Sequence, residues 1–146
     1  MNATGSDAAD DRPEGDAEDA GEPVDVVRER PDVAAPSMVP RGLAAGGTFA
    51  CAVLDDGTVR CWGDDSLGQL GDGQRGRDPQ GPVMVIATPG AAPTNPLQRV
   101  AEIAGGVDTA CALLTDGSLR CWGSNRSGAL GIGSTGVQSG PVPVSW

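Results

Sequence analysis

Four cysteines stand at a repeated spacing, Cys51 and Cys61 followed by Cys111 and Cys121. Such residues act as disulfides, as thiolate metal ligands or as nucleophiles. A nucleophilic cysteine needs a base, and the chain contains no histidine, which also excludes a serine triad. Zinc requires close C-x-x-C knuckles, and the C-x9-C spacing here is far too long for them. A redox C-x-x-C pair is likewise missing. Beyond the acidic N-terminal stretch Glu102 is the one glutamate, and the aspartates fall in stretches with the character of turns. Asp64, Asp65, Asp72 and Asp108 carry oxygens of the kind Ca²⁺ takes, but no EF-hand or glycine–aspartate repeat arranges them. The chain therefore reads as a non-enzyme, with no catalytic residue, no metal and no cofactor expected. Disulfide pairing is the chemistry that remains.

What positions the cysteines is an internal repeat. Residues 43–71 and 103–131 align without a gap at an offset of 60, and 15 of the 29 positions are identical. The repeat extends beyond these cores, because Gly81-Pro82-Val83 recurs as Gly140-Pro141-Val142 at an offset of 59. β-Branched content and turn signals place strands at 82–87, 99–104, 109–114 and 118–123, with a loop at 88–96. Four short strands per repeat of about 60 residues, separated by Gly, Pro and Asp loops, describe one blade of a β-propeller. No segment has helical periodicity.

The hairpin inside each core fixes which cysteines meet. Asp55-Asp56-Gly57 links two strands, and a three-residue loop ending in glycine fits a type I turn followed by a bulge with glycine at positive φ. Centred on Asp56, this pairing sets Leu54 against Thr58, Val53 against Val59, Ala52 against Arg60 and Cys51 against Cys61. The cysteines fall at a non-hydrogen-bonded pair, where Cα atoms lie about 4.5 Å apart, within reach of a disulfide. The same construction around Asp116 pairs Cys111 with Cys121. Two bridges imply an oxidising compartment, so the chain is expected outside the cytoplasm. No signal peptide is visible after Met1.

The run C-A-x-L-x-D-G-x-x-x-C-W-G, followed by G-x-L-G, resembles the regulator of chromosome condensation repeat in its cysteine-bearing bacterial variant. It is carried by Cys51-Ala52-Val53-Leu54, Asp56-Gly57, Cys61-Trp62-Gly63 and Gly68-Gln69-Leu70-Gly71, and again from Cys111 to Gly131. The resemblance covers about residues 38–146 and implies a seven-bladed β-propeller. Phe49 and Thr109 stand where that family usually has a histidine, two places before the first cysteine. Two repeats cannot close seven blades, so the expected fold is an all-β partial propeller of two four-stranded blades. Residues 141–146 read as the first strand of a third repeat. A fragment, a decayed gene and a piece that assembles with other copies all fit this pattern.

Each repeated residue has a structural role to fill first. Gly57 and Gly117 close the hairpin turns. Trp62 and Trp122, each followed by a glycine (Gly63, Gly123), are expected to pack between blades. Gly71 and Gly131 end loops that bring backbone close to the next blade. Arg60 and Arg120 are expected to hydrogen-bond or to pair with a loop acid. A phosphate cradle is excluded by the lack of a helix or a lysine after these glycines.

Charge divides the chain. Residues 1–40 hold 11 acids against Arg12, Arg28 and Arg30, whereas residues 41–146 hold 9 acids and 7 arginines. The first stretch, rich in Ala, Asp, Glu, Gly and Pro, lacks the apolar surface to offset ordering entropy and reads as a disordered acidic leader, with Val24-Asp25-Val26-Val27 its one candidate for local structure. Asn2-Ala3-Thr4 matches a glycosylation sequon, a pattern too short to carry an assignment. A net charge of −10 gives no reason to bind nucleic acid, and no stretch approaches a membrane span. The expected function is a non-catalytic, exported binding or adhesion scaffold with a protein or cell-surface partner. Alternatives are an exported enzyme inhibitor, a guanine-nucleotide exchange factor or a chromatin-binding propeller. The partner surface is expected on the loop 72–96, which carries Arg75 and Arg77. Two open blade faces also predict self-association.

Overall fold

The computed structural model describes residues 38–146, and the acidic leader, its Val24–Val27 run and the sequon lie outside the described residues apart from Met38, Val39 and Pro40. Eight strands follow one another: β1 (Pro40–Ala45), β2 (Phe49–Leu54), β3 (Val59–Gly63), β4 (Val83–Met84), β5 (Val100–Gly105), β6 (Thr109–Leu114), β7 (Leu119–Gly123) and β8 (Gln138–Pro143). They form two four-stranded antiparallel sheets in the orders β1-β2-β3-β4 and β5-β6-β7-β8. The fold is all-β, and each sheet is one blade. The first sheet starts at the very beginning of the described residues, where Pro40 pairs with Leu54 and the Val39 carbonyl accepts the Asp55 N–H at 2.9 Å.

The hairpin register is the one the turn residues dictate. Cys51 faces Cys61, Ala52 faces Arg60 and Val53 faces Val59; Cys111, Ala112 and Leu113 face Cys121, Arg120 and Leu119. The turn closes with Leu54 N–H donating to Thr58 O and Gly57 N–H to Leu54 O, both at 2.9 Å. Gly57 and Gly117 take φ of 84° and 89°, a region costly for a residue with a Cβ. A Cβ at Gly117 meets nothing within 4 Å, while one at Gly57 lies 3.1 Å from the Arg99 nitrogen. Gly117→Ala is therefore expected to cost about 1 kcal/mol, and Gly57→Ala measurably more. Urea denaturation of both variants checks the order.

Two strand expectations need correction. Residues 82–87 pair as a strand only at Val83 and Met84. Val85 N–H still donates to Val59 O of β3, but Ile86 N–H donates to Gly71 O and Leu97 N–H to Val85 O, so from Ile86 the chain leaves the ladder to anchor the loop 88–96. Residues 141–146 do not begin a third repeat. Val142 pairs with Cys121 and Pro143 with Arg120, just as Val83 pairs with Cys61 and Met84 with Arg60. Residues 141–143 belong to the fourth strand of the second blade, with 144–146 following it, and the 59-residue offset of Gly-Pro-Val reflects that equivalence.

The blades share one core. Alternation along β2 sends Phe49, Cys51 and Val53 into it, joined by Val59 and Cys61 of β3. The second blade contributes the opposite set, Ala110, Ala112, Leu114 and Trp122. Equivalent strands thus bury opposite faces, as stacking of successive blades requires.

Candidate functional site

Both disulfides form, Cys51–Cys61 and Cys111–Cys121, each with Cα atoms 4.0 Å apart across neighbouring strands. No cysteine is free, so none serves as nucleophile or ligand. The first bridge is fully buried in the joint between blades. In the second, Cys111 is only half-buried and lines a groove on the outward side of its sheet.

The tryptophans occupy equivalent sequence positions and opposite environments. Trp122 is fully buried beneath the loop that follows β3, where its Nε1–H donates to Gln69 O at 2.9 Å. Gly71, at φ 66°, makes room for the indole, since a Cβ there would lie 2.7 Å from Trp122 Nε1. Trp62 lies on the far face of the first blade and is 37% exposed. Gly131, at φ 64°, repeats the backbone of Gly71 without an indole against it. The remaining paired glycines, Gly63 and Gly123, also take positive φ, and both lie against backbone of the preceding turn.

Main-chain hydrogen bonds complete the joint. Gly47 N–H donates to Val107 O at 2.8 Å, Val100 N–H to Gly57 O at 3.1 Å, and Gly73 N–H to Ser139 O at 2.8 Å. Arg41 bridges the blades, with Nε on Leu54 O and its guanidinium on Val100 O.

Among the described residues, each blade leaves one face uncovered. On the first, Met38, Pro40, Leu43, Leu54, Arg60 and Trp62 line an apolar groove, with Leu43 73% exposed. On the second, Gly106, Val107, Cys111, Arg126 and Ala129 line the other, and Val107 is likewise 73% exposed. Arg60 and Arg120 differ from expectation. Neither enters an ion pair or a side-chain hydrogen bond among the described residues, and each Nε is buried without a partner. Their strand neighbours are Ala52 and Ala112, which offer no side-chain acceptor.

The loop thought to face a partner is partly braced. Arg77 is in an ion pair with Asp72, and Asp72 also accepts the Gln74 N–H at 3.0 Å. Arg75 is exposed. Asp64 is taken by Ser66 and Gln69, and among the described residues no three His, Cys, Asp or Glu side chains cluster as metal ligands. No helix of the described residues is long and apolar enough to cross a membrane.

Three carboxylates have shifted titration. Asp56 is held below the usual carboxylate range, chiefly by the Thr58 hydroxyl and then its amide. Asp116 is lowered in the same way by Ser118. Asp65 shifts upward to about 6, chiefly because it is buried. Its Oδ1 accepts the Leu70 N–H at 3.1 Å, but Oδ2 has no partner. In the second blade the equivalent residue is Asn125, whose Oδ1 accepts the Leu130 N–H at 2.9 Å and whose Nδ2 donates to Ser134 O at 2.7 Å. Sequence reading passed over this pair. The signal was a carboxyl aligned with an amide inside an otherwise matching frame.

Comparison with known proteins agrees with this architecture. The family profile "Regulator of chromosome condensation (RCC1) repeat" matches residues 41–69 and 100–129. The Arabidopsis thaliana ultraviolet-B receptor UVR8 is 34% identical over 91 residues, covering 62% of this chain and 19% of the receptor. An RCC1-like G exchanging factor-like protein of Mus musculus is 40% identical over 105 residues, 70% of this chain and 22% of its own length. Among solved structures, human WBSCR16 superposes with a TM-score of 0.59 at 32% identity, covering 73% of this chain and 26% of that one. Yeast RCC1 (Prp20), solved bound to Kap60, gives a TM-score of 0.59 at 25% identity, over 71% of this chain and 22% of that one. The chain thus spans about a fifth to a quarter of the length of these relatives.

Proposed function

Because this chain belongs to the family of Regulator of chromosome condensation (RCC1) repeat proteins, we propose that it is a non-catalytic binding scaffold working in an oxidising, extracytoplasmic compartment. One observation carries the reading: the two blades repeat their disulfides, turns and strand register, while the stretch 72–80 shares only Gly73 and Gly76 with its counterpart beyond residue 131. A fixed frame with a divergent loop is how repeat scaffolds vary their partners. The exposed Arg75, on a loop stiffened by the Arg77–Asp72 pair, is the residue proposed to meet a protein or cell-surface partner. An enzyme inhibitor of the same exported type would use the same loop.

A second reading draws on the relatives named for nucleotide exchange. It places the chain in a reducing compartment, where disulfides are rare. Thiol titration of the denatured chain, isolated from its source with alkylation at lysis, separates the two. The expected result is no free thiol before reduction and four after it. Four free thiols at isolation would remove the exported reading and favour an intracellular one.

A further inference from the structure

The loops that follow β3 and β7 share a backbone frame and differ in charge. In the first, the Asp65 carbonyl accepts the Gly68 N–H at 3.2 Å and the Gly76 N–H at 2.8 Å. In the second, the Asn125 carbonyl accepts the equivalent pair, Gly128 at 3.0 Å and Gly136 at 3.4 Å. Where the first loop has Asp65, Asp72 and Arg77, the second has Asn125, Ile132 and Val137. Three ionisable groups thus enter one copy of a frame that the other copy builds with an amide and two apolar side chains. The amide satisfies itself, accepting the Leu130 N–H and donating to Ser134 O. The carboxyl does not. Asp65 is completely buried, and its Oδ2 has no partner among the described residues. Arg77 supplies the complementary atom. Its Nη2 is held by Asp72, while its Nε is a buried donor without an acceptor among the described residues. The Arg77 charge already acts on Asp65.

We propose that Arg77 is a counterion shared between two acids, and that its transfer from Asp72 to Asp65 makes the loop carrying Arg75 a pH-sensitive switch. The arrangement seen is the protonated one. A buried neutral carboxyl tolerates an unpaired oxygen at modest cost, whereas a carboxylate there demands a cation. When Asp65 gives its proton to solvent, Arg77 turns its Nε–H onto Oδ2 and loosens its hold on Asp72. The surroundings leave Arg77 as the cation that answers. Asp64 and Asp72 are like charges, and Asp64 is already engaged by Ser66 and Gln69. The strand packed against the loop, β8, brings Gln138 and Ser139, neither of which titrates. The exposed Arg75 lies between the two points that move. Gln74 N–H is held by Asp72 Oδ1 at 3.0 Å, and Gly76 N–H by the Asp65 carbonyl at 2.8 Å. The switch rests on the reading of this loop as the partner-facing one, and adds that acidity sets how Arg75 is presented.

Nuclear magnetic resonance of the full chain, titrated between about pH 4 and pH 8, provides the test. Three signals are followed: the Asp65 carboxyl carbon, the Arg77 Nε–H and the Gln74 amide. In the wild type all three are expected to move together, with a midpoint near the Asp65 value of about 6. In Asp65→Asn, a side chain that Asn125 shows the frame accepts, Arg77 Nε–H and the Gln74 amide are expected to stay still. In Arg77→Gln the Asp65 carboxyl is expected to titrate at a higher pH than in the wild type, while the Gln74 amide no longer follows it. That last result separates a moving counterion from a field acting through space. An Arg77 signal that stays fixed while Asp65 titrates overturns the proposal. So does an Arg77 signal that still moves in Asp65→Asn, or a Gln74 amide that follows Asp65 in Arg77→Gln as it does in the wild type. A wild-type Asp65 already ionised at the acid end of the range overturns it equally. The measurement uses no partner and no free thiol, so its failure leaves the Arg75 contact and the compartment reading to their own tests.

Discussion

Trp122→Ala is expected to destabilise the folded chain by about 3–5 kcal/mol, while Trp62→Ala, the same change at the equivalent position, is expected to cost less than about 1 kcal/mol. The residue types, neighbours in sequence and backbone register are the same. What differs is that Trp122 is completely buried and hydrogen-bonded to Gln69, whereas Trp62 stands on an open face. Removing the Trp122 indole empties a space bounded by Gly71 and leaves the Gln69 carbonyl without its donor. Since a domain of this size holds only about 5–15 kcal/mol in total, the Trp122 variant loses a large share of it. Urea denaturation measures both. Equal losses would show that the blades do not use the indole as their joint.

The second large effect belongs to Asp65 and depends on pH. The folded carboxyl titrates near 6, above its ordinary value of 3.8, because it is buried; the Leu70 amide offsets this, Asp72 and Asp64 add to it, and Arg77 opposes them. The folded state therefore keeps the proton after the unfolded state has released it. Stability is full below about pH 4, declines as pH rises towards about 6, and stays at the lower level above that. With about 1.4 kcal/mol for each pH unit, Asp65→Asn is expected to match the wild type near pH 4 and to exceed it by about 2–3 kcal/mol at pH 8. The amide also gains a donor, directed as Asn125 directs its own towards the Ser134 carbonyl, to which Gln74 is equivalent. Chemical denaturation at the two pH values is the measurement. A gap of the same size at both would mean that hydrogen bonding alone, and not ionisation, separates the two residues.

The parts of this structure that were readable beforehand are those fixed by short-range constraint. A three-residue turn ending in glycine leaves one register for the strands on either side, and that register brings Cys51 to Cys61 without any appeal to distant contacts. Repetition then carries the result to Cys111 and Cys121. The misreadings arise where distant neighbours decide. Residues 85–86 have strand-like composition, yet the Gly71 carbonyl draws Ile86 out of the ladder. Residues 141–146 were placed in the wrong module because an isolated strand does not announce which partner it will take. Trp62 and Trp122 are indistinguishable in sequence, because burial depends on what stands opposite and not on the residues alongside.

Each sheet is wound from one unbroken stretch of chain, β1 to β4 and then β5 to β8, and among the described residues no strand crosses from one to the other. The segment that recurs in the sequence is thus in phase with the segment that satisfies its own ladder of hydrogen bonds. A gene that duplicates or deletes this segment changes the protein by whole blades and never strands half a sheet. Lineages of such a protein are free to lengthen or shorten in single-unit steps, each step preserving the same seam on either side, and selection can act on the number of units independently of the quality of any one of them.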